Sequence, residues 1–259
     1  MKPNKRHQAI LLRLDQQDRV SVEDLAALTG ASRETIRRDL TQMDRAGLLR
    51  KVHGGAIRAN AAGGGQPLVP VAEGPFHARM EQNVAAKRAI ARKAVSILRP
   101  GDSLFVDTGS TTLYFAEALF EVKSLTVITN SGVIAALAAQ GEGASVYQIG
   151  GEFRAGGQES LGAMALQQIA EMRAAHVVLT VGSVDASGVM DFDLQEAQVA
   201  KAMIARAAQV TVLADHSKFL NPAVFPVADL SQITRIVADA VPQGFTEIAA
   251  AQGVELLIA

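Results

Sequence analysis

Five stretches of this 259-residue chain gather hydroxyls, carboxylates and glycines where an apolar, strand-like run ends. The first is Asp107-Thr108-Gly109-Ser110-Thr111-Thr112. The others are Thr129-Asn130-Ser131, Gly150-Gly151, Gly182-Ser183-Val184-Asp185 and Asp215-His216-Ser217-Lys218. Glycine allows a ligand close to the backbone, and Ser or Thr hydroxyls with the N–H groups of a starting helix bind an anion such as a phosphate. Lys218 offers a countercharge, and the carboxylates suit the hydroxyls of a polyol. Singly, each stretch is common turn chemistry, and Asp or Asn there often caps a helix. Five of them point to a pocket, provided that the fold makes them converge.

Other chemistry finds little footing. Cys is absent, so there is no thiolate nucleophile, thiolate metal site or disulfide framework. His7, His53, His77, His176 and His216 show neither HExxH nor another metal-ligand spacing, and most read as structural; His216, inside DHSKF, reads as a ligand contact. There is no Walker loop, and GGEFRAGG lacks the GxGxxG order. No metal or cofactor is expected.

A second constellation is basic. Residues 1–58 carry 12 Lys and Arg against 7 Asp and Glu, and the rest of the chain 13 against 19. Ile10, Leu11 and Leu14 share one face of a first helix. In RVSVEDLAALTG, Ser21 caps a second helix with Leu25 and Leu28 inward and Gly30 as its stop. Ser32 caps a third, with Ile36, Leu40 and Met43 as its buried stripe and Gly47 as its end. That leaves Arg33, Thr35, Arg37, Arg38 and Thr41 outward, followed by a short β-prone wing bearing Arg50, Lys51 and His53. Two helices on a tight turn, the second basic outside and followed by a basic hairpin, describe a winged helix-turn-helix whose partner is double-stranded DNA. A helical bundle with a solvated charged face is the bland alternative; spacing, turn, wing and charge sign together favour DNA.

The elements behind these residues indicate an α/β chain. Hydrophobic residues make up 49% and charged residues 20%, an ordinary globular balance. The stretch 58–75 holds three consecutive glycines and three prolines without a period, giving a DNA-binding domain at 1–58, a linker at 59–75 and an α/β domain at 76–259. Packing of Leu68, Val69 and Val71 on the body as an ordered arm is the alternative. Strand-like runs SLFVD, LTVITN, SVYQIGG, HVVLTVGSV, VTVLAD and RIVAD, most separated by helical segments, predict a mostly parallel sheet covered on both faces. The uncharged run 124–141 reads as strand, loop and helix rather than a membrane span, and the opening residues do not read as a signal peptide. A cytoplasmic protein with no membrane partner is expected.

SRETIRRDLTQMDRAGLLRKVHGGA resembles the signature of the DeoR family of bacterial transcriptional regulators. That resemblance implies that Ser32, Thr35, Arg37, Arg38, Arg50, Lys51 and His53 face operator DNA, with Asp39 steadying one of the arginines. DTGSTT, TN, GGEFR, DFDLQEAQVAKAMI and DHSKF are similar to the family's sugar-phosphate sensor domain, which is similar in fold to ribose-5-phosphate isomerase A. By the same likeness Asp185 and Glu196 stand where the isomerase keeps an aspartate and its glutamate, so Glu196 joins the effector residues. The turn's second acid is missing, and no lysine occurs between Lys123 and Lys201. The implied function is therefore a sensor rather than an enzyme: a repressor released from operator DNA by a phosphorylated sugar or polyol. MDFDLQEAQ with DHSKF favours the glycerol-3-phosphate-responsive branch slightly over a hexose or pentitol phosphate. Proteins with this head read paired half-sites, so a homo-oligomer, dimer or tetramer, is expected.

Overall fold

The computed structural model describes residues 3–17, 19–45, 49–52, 54–57, 74–219 and 223–259. The chain divides into two compact units, Met1–Pro67 and Leu68–Ala259. Of the expected linker, only Gly74 and Pro75 fall within the described residues.

The first unit contains α1 (Pro3–Gln16), β1 (Arg19–Ser21), α2 (Val22–Thr29), α3 (Arg33–Arg45), β2 (Arg50–Val52) and β3 (Gly55–Ile57). Ile10 and Leu14, Val22 and Leu25, and Ile36, Leu40 and Met43 pack into one core. The Ser21 hydroxyl accepts the Asp24 N–H at 3.0 Å to start α2. Gly30 ends it at φ +67°, a left-handed conformation that a side chain would strain. Leu28 corrects the sequence reading: it is 50% exposed. The buried stripe of this short helix runs through Val22, Leu25 and Thr29, and Leu28 falls beside it. Gly47, read as the stop of α3, lies outside the described residues.

The wing is a three-stranded antiparallel sheet in the order β1-β3-β2, so Arg19–Ser21 supplies a strand that the sequence pattern did not mark. A Cβ on Gly55 would stand 2.0 Å from the Val20 carbonyl oxygen. This glycine is what lets β3 lie against β1.

The second unit begins with α4 (Phe76–Glu81) and α5 (Val84–Val95). There follow β4 (Ser103–Val106), α6 (Ser110–Ala118), β5 (Thr126–Thr129), α7 (Gly132–Ala138), β6 (Ser145–Gln148), β7 (Glu152–Arg154), β8 (Glu159–Leu161) and α8 (Ala163–Ala170). The rest comprises β9 (Ala174–Thr180), β10 (Ser183–Asp185), β11 (Gly188–Asp191), α9 (Leu194–Ile204), β12 (Ala207–Ala214), β13 (Phe225–Asp229), β14 (Arg235–Ala238), α10 (Phe245–Ala251) and β15 (Glu255–Ile258). Seven strands form one sheet in the order β15-β14-β12-β9-β4-β5-β6, every pairing parallel. Its last strand comes from a segment the sequence reading left unassigned.

Alternation along the strands explains the layers. Leu104, Val106, Val127, Val178, Leu213 and Val237 pack with α5, α6 and α7. Their neighbours Phe105, Ile128, Val177, Leu179, Val212 and Ile236 pack with α8, α9 and α10. Successive strand residues face opposite sides, so a strand buried on both must be apolar throughout. HVVLTVGSV, read as one strand, is two: the main sheet keeps β9, while β10 leaves it to form a small antiparallel sheet with β11 and β13. Strand order runs one way from β4 to β6 and the other from β9 to β15. The crevice at the carboxyl ends of β4 and β9 is thus where such a sheet holds ligands. Among the described residues no helix is long and apolar enough to cross a membrane.

Candidate functional site

The outer face of α3 starts at Ser32, whose hydroxyl oxygen accepts the Thr35 N–H at 3.2 Å and lies 2.9 Å from Thr35 Oγ1. Arg33, Arg37 and Arg38 have side chains 67%, 60% and 81% exposed. Their partners are Glu23 at 3.6 Å for Arg33, and Glu34 at 4.0 Å for Arg37 and 3.5 Å for Arg38. Exposed pairs of this kind are weak and readily exchanged for phosphates. The Thr41 hydroxyl donates to the Arg37 carbonyl at 2.8 Å and accepts from Lys51 Nζ at 2.7 Å, while the Lys51 N–H donates to Asp44 at 3.0 Å. The wing is therefore tied to α3 through Lys51. Of the other wing residues, His53 and the Arg50 side chain lie outside the described residues.

Asp39 corrects an expectation. It steadies neither neighbouring arginine; it is buried and binds α1, accepting from Arg6 and lying 3.2 Å from His7 Nε2. At the helical spacing, Arg37 and Arg38 project outward while Asp39 turns inward. Burial alone would push its carboxyl up, but the hydrogen bonds of Arg6 and His7 outweigh it and hold the group below its ordinary value.

In the second unit a cleft at the carboxyl ends of β4 and β5 is lined by Asp107, Thr108, Asn130, Glu159, Asp191, Glu196 and Val199. Asp107 follows β4 and accepts the Thr180 N–H on both oxygens, at 3.0 and 3.1 Å. Burial, with repulsion from Asp191, Glu159 and Glu196, pushes its carboxyl well up against the opposing pull of that N–H. The Thr108 hydroxyl donates to Asn130 Oδ1 at 3.2 Å, and Asn130 Nδ2 donates to the Ser160 carbonyl at 3.2 Å. At Gly109 a Cβ would stand 2.1 Å from Thr180 Oγ1. Glycine is needed there for close approach to β9.

The rest of the first polar turn is more buried than its composition suggests. Ser110, Thr111 and Thr112 are all buried at the start of α6, and the Thr112 hydroxyl donates to the Gly109 carbonyl at 3.1 Å. Thr129 is buried beneath the cleft, its hydroxyl oxygen accepting the Ser131 N–H at 3.1 Å.

Three of the five polar stretches lie outside the lining of this cleft and have partners elsewhere in the fold. Gly150 exchanges hydrogen bonds with Gln168 of α8 at 3.0 and 3.2 Å. A Cβ on Gly151 would meet the Leu161 carbonyl oxygen at 2.5 Å, and one on Gly182 the Phe192 ring at 2.6 Å. Asp185 sits at the tip of the β10–β11 hairpin, accepting from the Ser187 N–H and hydroxyl at 2.7 and 2.5 Å. Asp215 accepts from the Ser217 N–H and hydroxyl at 3.0 and 2.5 Å and from Asn83 at 2.9 Å. Burial pushes Asp215 up, and these donors more than reverse it, leaving the carboxyl below its ordinary value. His216 Nδ1 lies 2.6 Å from Asp239, and Lys218 occupies the same turn; neither lines the cleft.

Glu159 and Asp191 were missed. Glu159 comes from a glycine-rich hairpin without period, and reaches the cleft because β8 bridges Ser131. Asp191 comes from β11 of the small sheet. Arg154 stands behind them, 2.9 Å from Asp193 and 3.2 Å from Glu196, and donates to Gln195 at 2.5 Å. Its signal was present in GGEFR, but only the fold shows its partners.

A family model described as DeoR-like helix-turn-helix domain matches residues 6–62, and one described as DeoR C terminal sensor domain matches residues 82–240. The HTH-type transcriptional repressor CsqR of Escherichia coli (strain K12) is 30% identical over 240 residues, covering 92% of this chain and 88% of that protein. The glycerol-3-phosphate regulon repressor of Haemophilus influenzae is 30% identical over 259 residues, covering 100% and 98%. Among solved structures, a D-ribose-5-phosphate isomerase in complex with phospho-erythronic acid is 19% identical, covering 51% of this chain and 52% of that one, with a TM-score of 0.38.

Proposed function

The chain belongs to the DeoR family of transcriptional regulators, and from that premise we propose that it represses genes of carbohydrate or polyol metabolism and leaves operator DNA when a phosphorylated sugar or polyol binds. In this reading residues 1–58 are the DNA-binding domain and residues 76–259 the effector domain. The observation that carries it is the exposed basic face of α3, tied to the wing through the contact of Lys51 with Thr41. Arg33, Arg37, Arg38 and Lys51 suit phosphates and guanine edges, and Ser32, Thr35 and Thr41 suit phosphate oxygens.

On the effector side, Gly109 and the start of α6 take the phosphate, while Asp107, Asn130 and Glu196 take hydroxyls. Glycerol 3-phosphate leads a hexose or pentitol phosphate slightly, since a full-length relative is named for that regulon. Effector binding releases DNA because the ligand prefers the arrangement of two heads that fits paired half-sites poorly. The protein acts as a homo-oligomer, dimer or tetramer, in the cytoplasm, and without catalysis. Against an isomerase stands Asp185, hydrogen-bonded within its own hairpin turn and absent from the lining that contains Glu196.

The test is a gel shift on the DNA upstream of this protein's gene and its neighbours, at fixed salt, with and without a panel of phosphorylated sugars and polyols. A shift reversed by one compound supports the reading. Absence of any shift on those fragments, or turnover of a sugar phosphate that Glu196→Gln abolishes, overturns it.

A further inference from the structure

We infer that the cleft accepts only a phosphorylated ligand whose other end is uncharged and bears hydroxyls, and that Glu159 is the residue that sets this selectivity. The inference rests on the effector reading above and names the class of effector within it. Four carboxyl groups line the cleft: Asp107, Glu159, Asp191 and Glu196. Three have donors. Asp107 faces the Thr180 N–H, Asp191 accepts the Phe192 N–H at 2.6 Å, and Glu196 pairs with Arg154.

Glu159 differs. It is 2% exposed, and its Oε1 is fully buried with no hydrogen-bond partner among the described residues. On one side the turn before β8 walls it in, since a Cβ on Gly157 would stand 2.4 Å from that oxygen. Glu159 also lines the cleft, and a bound ligand is the donor we assign to that oxygen. Burial also pushes this carboxyl up, with Asp193 and Asp191 adding repulsion, while Arg154 and a hydrogen bond with Glu196 pull the other way. A buried acceptor without a donor is unfavourable, and a ligand hydroxyl that donates to it removes the deficit. A ligand lacking that hydroxyl leaves it in place, which is how a site built around a hydrogen bond rejects analogues. A ligand carrying a carboxylate or second phosphate there meets like charge in a desolvated site whose nearby arginine is already paired.

The test titrates the full chain calorimetrically with matched pairs that share skeleton and phosphate: glycerol 3-phosphate against 3-phosphoglycerate, and glucose 6-phosphate against 6-phosphogluconate. For whichever pair binds, the hydroxyl member is expected to bind at least about tenfold more tightly. Glu159→Gln should narrow that ratio to about threefold or less, because the amide keeps a polar contact and removes the charge. Should that variant lose its circular dichroism, Glu159→Asp serves instead: it keeps the charge and shortens the reach, so the hydroxyl member should weaken while the acid stays excluded. An acid that binds as tightly as its hydroxyl partner overturns the inference and leaves the effector reading intact. A ratio unmoved by Glu159→Gln, or native hydroxyl affinity in Glu159→Asp, removes Glu159 as the determinant. Binding by none of the four, with DNA release by some other compound bearing two anionic groups, also overturns it. If no phosphorylated compound binds or releases DNA, the effector reading itself fails.

Discussion

Arg6 of α1 donates to both carboxylate oxygens of Asp39 in α3, across the core of the first unit. The residue that comes after two solvent-facing arginines thus anchors the helix that carries them. Asp39 is held below its ordinary value, so its contribution is present above the unfolded carboxylate range and is lost as pH falls through the lowered folded value. Asp39→Asn should therefore melt below the native protein at neutral pH, with the gap closing below about pH 4. Calorimetry of both proteins across that range decides it, and a gap that stays constant would show that the ion pair is not its source.

Arg37→Ala removes an exposed side chain that makes a weak contact with Glu34 at 4.0 Å. Stability should barely change, while operator affinity should fall by about 1–3 kcal/mol if Arg37 reads a base, or the salt slope by about one unit if it meets a phosphate. Effector affinity should stay as it is. Gel shifts at three salt concentrations, with a ligand titration beside them, separate these outcomes. Loss of ligand binding with native DNA affinity would reverse the roles given to the two units.

The head was more legible in the sequence than the cleft, for a physical reason. Ser21, Gly30, Ser32 and the stripe Ile36, Leu40 and Met43 act within one or two turns of chain, so spacing alone reveals them. Asp107 and Asn130 were legible because strand ends in a parallel sheet share an edge. Glu159 and Asp191 were not, because a bridge to Ser131 and a separate antiparallel sheet deliver them across long separations. Leu28 and Asp39 show the reverse error, local patterns read correctly as helix and assigned the wrong partner. Glycines were the most ambiguous: Gly109, Gly151 and Gly182 all stand where a Cβ would meet a neighbouring element, so close packing accounts for each of them.

Gly109→Ala should separate sensing from DNA binding. Its Cβ would fall 2.1 Å from Thr180 Oγ1 and 2.9 Å from Thr180 Cγ2, forcing the turn away from β9 at a cost of about 1–3 kcal/mol. The variant should bind operator normally and fail to release it at effector concentrations that free the native protein. Thr180→Ala in the same chain removes both clashing atoms and should restore much of the response. A double-mutant cycle on effector affinity measures that coupling, and simple additivity of the two losses would place the defect elsewhere.

Asp107→Asn tests the electrostatics of the cleft with the opposite sign from Asp39. Burial, reinforced by Asp191, Glu159 and Glu196, raises the folded carboxyl well above its ordinary value despite the Thr180 N–H. A raised carboxyl contributes stability that is present below the unfolded value and is lost as pH rises through the folded one. The asparagine keeps an oxygen for the Thr180 N–H and carries no charge, so it escapes that loss. The variant should equal the native protein near pH 4 and overtake it as pH rises towards neutrality, while its affinity for a hydroxyl-bearing sugar phosphate falls. Calorimetric melts from about pH 4 to pH 8, each paired with a titration, follow both quantities. If the native protein instead gains on the variant as pH rises, Asp107 is stabilised as a carboxylate, and the cleft holds its negative charge at ease rather than under repulsion.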